Sequence, residues 1–233
     1  MYHPFSVTET ISNAWGVLKK NVAVIAVYTL VTVVIAIATF VVIYGVITDE
    51  LFKTIGVTFF LIEISFIFLG FMKLIFTLID KEYYDFEFKD ILPKLKVLGS
   101  YLLLLFIVST LAFFMAKMVY LMNPGILQSI LDKFVYWFFQ FFFLFYFPVC
   151  ACFIVDDDSG PFESVIQSFS LIRGNFFKYL ILFLLIEGMV FVGTFTIVGM
   201  VFVMPFVNIV LVVAYRKLIY SHQDVEDDVS ETI

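Results

Sequence analysis

A chain of 233 residues that is 63% hydrophobic and only 15% charged, with a mean hydropathy of +1.07, carries more apolar surface than a water-soluble core can bury. Soluble domains hold about 45–50% apolar and about 25% charged residues, so lipid must cover the excess. The net charge of −6 comes largely from Asp156, Asp157, Asp158 and the tail 224–231, which argues against nucleic acid and against adhesion to anionic headgroups.

The chain opens MYHPFSVTET, without the basic region of a cleavable signal peptide, and its first apolar run is too long for one. That run is expected to remain as a span. Before it, residues 9–21 read E-T-I-S-N-A-W-G-V-L-K-K-N, and Ile11, Trp15 and Leu18 set one apolar stripe on a helix. The pattern returns 154 positions later as E-S-V-I-Q-S-F-S-L-I-R-G-N, pairing Ile11 with Val165, Trp15 with Phe169, Leu18 with Ile172 and Asn21 with Asn175. A worn middle copy sets Ile91, Leu95 and Leu98 at the same spacing, 80 residues after the first and 74 before the third. It lacks the glutamate and the asparagine, and Pro93 would kink a helix there or start it one turn late. The repeat predicts an all-α polytopic bundle of three units, about 5–79, 80–155 and 156–220. Each unit is an amphipathic cytoplasmic helix followed by two spans, in one membrane domain 1–220 with a disordered acidic tail 221–233.

A span needs about 20 apolar residues. Six runs qualify: 22–47, 54–79, 98–120, 134–155, 176–195 and 197–215. Asn123-Pro124-Gly125 marks a turn after the third, and 126–133 reads as a short interfacial piece before the fourth. Only Gly193, Thr194 and Thr196 separate the last two. Lys19, Lys20, Lys81, Lys89, Lys94, Lys96, Arg173, Lys178, Arg216 and Lys217 fall on one side, against Lys53, Lys117 and Lys133 on the other. The basic bias puts both termini and all three amphipathic stretches on the cytoplasmic face.

Polar residues inside the apolar runs are the candidate functional groups. Glu63 lies mid-span with Gly56 seven residues before, Gly70 seven after and Thr77 seven further on. That spacing makes a small-and-polar seam suited to close helix packing. A carboxylate at such depth must face protein or a water-filled cavity. Glu187, Lys73, Gln140, Asn208 and Lys117 are the other intramembrane candidates. Glu63 and Glu187 read either as packing devices held by neighbouring helices or as a proton- or cation-linked path. Broken helices in corresponding places of the repeats would favour the path, and Pro148 and Pro205 do not correspond under the repeat offset.

Catalytic signatures are absent. His3 and His222 stand near opposite ends, and no HExxH, GxSxG or P-loop appears. Asp156-Asp157-Asp158-Ser159-Gly160 lacks the spaced ligands of a calcium loop and reads as a turn, with Asp158 or Ser159 available to cap the next helix. Cys150 and Cys152 have no partners elsewhere in the sequence and are expected to be reduced thiols. No metal or cofactor is expected. The 32 phenylalanines, seven of them in 138–147, read as lipid-facing and interhelical bulk.

Phe147-Pro148, Val155-Asp156-Asp157, the run Gly160-Pro161-Phe162-Glu163-Ser164-Val165, Arg173-Gly174-Asn175-Phe176, and Pro205 followed by Ala214-Tyr215-Arg216 resemble a widespread bacterial inner-membrane family. That family includes the membrane domain fused to some glycerophosphodiester phosphodiesterases. Segment 80–91 is similar to its acidic-aromatic cytoplasmic linker, and the resemblance covers most of the chain, most strongly 147–218. It implies a six-helix fold, the bacterial inner membrane and a leaning toward lipid. It supplies no catalytic residues, and the phosphodiesterase activity does not carry over.

The expectation is a non-enzymatic membrane subunit or scaffold whose partners are membrane lipids, a membrane protein or further copies of itself, and not nucleic acid. The alternative is a small transporter or channel for a lipid or ion through a polar centre at Glu63 and Glu187.

Overall fold

In the computed structural model residues 5–80 and 88–230 are described, the side chains of 88, 90, 197, 198, 200 and 222–230 excepted. Lys81, Tyr84 and most of the linker 80–91 therefore lie outside the described residues. Every regular element among those described is helical. Six helices are long and apolar enough to cross a membrane: Val22–Val46, Glu50–Asp80, Leu95–Tyr120, Ile126–Asp156, Phe176–Gly193 and Val201–Ser221. The first has only 6% of its apolar window buried, a surface that suits lipid as the solvent and would not be left open to water.

The elements follow from local signals. Helix α1 (Val7–Lys20) ends at Asn21, and α2 (Val22–Val41) begins at once, continued by a π-turn over Val42–Val46. Asn21 breaks the helix with φ −120° and ψ 19°. Asp49 then caps α3 (Glu50–Asp80), its carboxylate accepting from the N–H groups of Leu51 and Phe52 at 2.9 and 3.1 Å. This cap starts the second span at Glu50, four residues before the expected Thr54. The short helix α4 (Phe88–Ile91) stops before Pro93, which disfavours helical backbone at Leu92, and α5 runs Leu95–Tyr120. The middle amphipathic helix is thus not formed: Leu95 and Leu98 open the span itself, and Ile91 closes α4.

The expected interfacial piece 126–133 is also corrected. With no glycine or proline to stop it, α6 (Ile126–Phe141) runs directly into the membrane-spanning stretch. A π-turn over Phe142–Tyr146 leads into α7 (Phe147–Asp156) and so accommodates Pro148, which has no N–H to give and crowds the carbonyl one turn back. Asp158 takes φ 53° in the following turn. Helix α8 (Pro161–Arg173) is capped by Glu163, whose Oε2 accepts from the Gly160 N–H at 3.3 Å, while Ser159 donates to Gln167 Oε1 at 3.0 Å.

Helix α9 (Phe176–Gly193) and α10 (Ile197–Ser230) are separate, joined only by Thr194, Phe195 and Thr196. Thr196 Oγ1 accepts from the Gly199 N–H at 2.9 Å, and Gly193 lies where a Cβ would meet Val203 at 3.1 Å. These two glycines permit so tight a reversal. Helix α10 continues through Ser230, so the tail expected to be disordered from 221 begins as helix; it lacks glycine and proline, and propagation adds one hydrogen bond per residue.

The chain forms two compact units, 1–94 with 171–233, and 95–170. In the first, α1 and α9 pack on α10, and α3 packs on α2, α4 and α10. In the second, α5 packs on α6 and α7. Packing therefore joins the two ends of the chain rather than following sequence order.

Candidate functional site

The seam on α3 meets α2. A Cβ on Gly56 would meet Ile43 Cγ1 at 3.1 Å. One heptad on, the Thr39 hydroxyl donates to Glu63 Oε1 at 3.2 Å. A further heptad on, Gly70 admits the Tyr28 side chain, whose hydroxyl donates to the Ile67 carbonyl at 2.8 Å and whose ring stacks on Phe71 at 5.3 Å. Thr77, the fourth seam residue, turns its hydroxyl to its own helix, donating to the Lys73 carbonyl at 2.9 Å. Gly56 and Gly70, fourteen positions apart, keep one face of α3 low, so α2 can approach and its hydroxyls can reach polar atoms that lipid would leave unpaired.

Lys73 donates to the Leu92 carbonyl at 2.8 Å. That carbonyl stands where Pro93 has stopped α4, so the lysine ties the chain end of a broken helix to α3. Glu63 Oε2 is buried and has no hydrogen-bond partner among the described residues. Between α2, α3 and the turn at Ile91, Leu92 and Pro93 lies a groove of about 540 Å³ that Glu63, Tyr28 and Gly70 help to line.

The other intramembrane candidates do not join this cluster. Glu187 is half-buried on α9, which packs on α10 and α1. Asn208 donates to the Met204 carbonyl at 2.8 Å, one turn back on α10 beside Pro205. Gln140 lines a second groove of about 560 Å³ between α5 and α6, with Asp132, Lys133 and Tyr136. The Lys117 ammonium sits 5.2 Å from the Tyr120 ring.

The paired amphipathic segments share a detail that the apolar stripe did not reveal. Thr10 and Ala14 on α1 are fully buried, and so are Ser164 and Ser168 on α8, the residues 154 positions on. Trp15 and Phe169 flank these small residues, 48% and 45% exposed. Trp15 packs edge-on against Phe206 at 5.8 Å, and Phe169 stacks on Tyr146 at 4.1 Å. Ile11 and Val165 are half-buried; Leu18 is half-buried and Ile172 fully buried. The closing asparagines match as well: Asn175 takes φ −130° and ψ 27°. The N–H of Asn21 donates to Leu18 O and that of Asn175 to Ile172 O, at 3.3 and 3.0 Å. Small residues at i and i+4 were the signal for this contact face, and a search for large apolar residues passes over them.

Two ion pairs on α10 also escaped sequence reasoning. Arg216 pairs with Asp80 of α3 at 2.6 Å and lies 4.9 Å from the Phe76 ring. Its neighbour Lys217 pairs with Glu9 of α1 at 2.6 Å. Arg216 and Asp80, 136 residues apart in sequence, and the still more distant Lys217 and Glu9 leave no local trace. Cys150 and Cys152 are buried and form no disulfide, and the Ser168 hydroxyl hydrogen-bonds with Cys150. Among the described residues no group of three or more His, Cys, Asp or Glu is placed to hold a metal ion.

No protein-family model, curated protein or solved structure matches the chain. The helices thus define a class, a multi-pass α-helical membrane protein.

Proposed function

We propose that the chain is a non-catalytic integral protein of the bacterial inner membrane, with both termini cytoplasmic, acting as a membrane subunit or scaffold that binds a partner protein or lipid. One observation carries the reading: three polar groups in the spans are used in joints between elements. Thr39 serves Glu63, Tyr28 serves Ile67 and Lys73 serves Leu92. The orientation rests on the ten-to-three basic bias. The matched burial and junction geometry at Asn21 and Asn175 supports a repeat in which α1 and α8 are equivalent amphipathic helices at the cytoplasmic interface. Membership of the bacterial family that the sequence resembles belongs to the same proposal. Purification in mild detergent tests it: a stoichiometric protein or lipid should copurify, and a bare monomer that moves ions across reconstituted vesicles would overturn it.

A second reading, ion- or lipid-coupled transport, is favoured by one observation, the unpartnered buried Oε2 of Glu63. A flux abolished by Glu63→Gln in protein that still folds would establish it in place of the scaffold.

A further inference from the structure

The first half of the span Ile126–Asp156 carries its polar residues on one side. Asp132, Tyr136, Ser129, Gln140 and Lys133 fall, in that angular order, within an arc of about 100° at the helical period. Phe134 and Phe138, both exposed, stand opposite. Asp132, Lys133, Tyr136 and Gln140 all line the groove of about 560 Å³ between α5 and α6.

Gln140 is the deepest of these residues. It lies about 21 Å from Ile126 at 1.5 Å per residue, near the middle of a span of 31 residues. Its carboxamide offers two N–H donors and an acceptor, and it makes no hydrogen bond among the described residues. Asp132 and Lys133 likewise have no ion-pair partner among them. Hydrocarbon gives a carboxamide nothing to bond, so at this depth it must meet protein or water.

The face is complementary to itself. Take two copies in the same orientation in the bilayer, related by a twofold axis along α6 and facing the middle of the arc. Gln140 then stands beside Gln140, and a carboxamide both donates to and accepts from its like. The same rotation brings Asp132, on one margin of the arc, to Lys133 on the facing margin of the other copy, and the reverse, so the charges pair twice. Lys117, the other charge near this end of α5, holds its ammonium 5.2 Å from the Tyr120 ring. Ala112 and Ala116, one turn apart on α5, leave the groove open to a side chain of the second copy.

We propose that this face joins two copies of the chain in a parallel twofold dimer. Gln140 bonds its counterpart inside the membrane, and Asp132 pairs with the Lys133 of the other copy toward the Ile126 end. The dimer goes beyond the function proposed above and falls or stands apart from it, since it neither needs nor excludes a copurifying protein or lipid.

The test uses the full-length protein, in native membranes and in detergent. With Cys150 and Cys152 replaced by alanine, Tyr136→Cys should be joined into a dimer by a short bis-maleimide, and Phe134→Cys should not. Gln140→Leu should weaken self-association in sedimentation equilibrium about tenfold, the scale of polar contacts between membrane helices, while the melting temperature holds. Asp132→Lys and Lys133→Asp should each weaken the dimer, and the double exchange should restore it, a rescue that a role within one copy would not give. Equal cross-linking at both cysteines would reduce the contact to chance collision and overturn the proposal. A monomer at every protein concentration would also overturn it and leave Gln140 to water. Cross-linking of Tyr136→Cys to a protein of another mass, in place of a second copy, would assign the groove to a different subunit and equally sink the dimer. Failure of the double exchange to rescue would overturn the twofold geometry.

Discussion

The Tyr28 hydroxyl occupies the place that a side chain on Gly70 would take: a Cβ there would meet it at 2.7 Å. Gly70→Ala should push the phenol away from the Ile67 carbonyl and cost about 1 kcal/mol, the net worth of one hydrogen bond. Tyr28→Phe should cost a similar amount. The double variant should be less destabilised than the sum, because both changes break one contact. Thermal unfolding of the four proteins in detergent reads the coupling, and strict additivity would separate the two residues.

Glu63 should behave as a helix joint. Glu63→Gln keeps an acceptor for the Thr39 hydroxyl and should melt near the wild-type temperature. Glu63→Leu and Thr39→Val should each lower stability by about 1–3 kcal/mol, since each strands a buried polar group. Equal damage from Gln and Leu would mean that the charge itself matters.

The small residues beneath α1 and α8 predict an inversion of the usual ranking by size. Ala14→Leu and Ser168→Leu overfill positions with no free surface and should cost about 1–3 kcal/mol each. Trp15→Ala and Phe169→Ala, at half-exposed positions, should cost less. Expression level and melting temperature of the four variants decide the order; a larger loss at Trp15 than at Ala14 would show that the aromatic residues carry the contact.

Topology is checked by single cysteines in a background with Cys150 and Cys152 replaced by alanine. An impermeant thiol reagent on intact cells should spare residues introduced at Ser12, Tyr84 and Ser230, and should label one at Asp49. Labelling at Ser230 but not at Ser12 would leave an odd number of spans.

By itself the sequence determined the all-helical class, six apolar helices and the helical character of residues 9–20 and 163–173, because these depend on hydropathy and on periodicity within one turn of the chain. Asparagine at 21 and 175 was legible for the same reason: it ends one helix locally. Tertiary structure decided the rest. Pro93 and the cap at Asp49 moved boundaries by local competition that hydropathy does not register. Which helix the seam of α3 faces depended on Ile43, Thr39 and Tyr28, and the pairs Arg216–Asp80 and Lys217–Glu9 on contacts across most of the chain. The contact face of α1 lay on Thr10 and Ala14 rather than on Trp15, because helices approach closely where side chains are small. A greasy stripe marks where a helix can meet apolar surroundings, and in a membrane both lipid and protein qualify; only packing tells them apart.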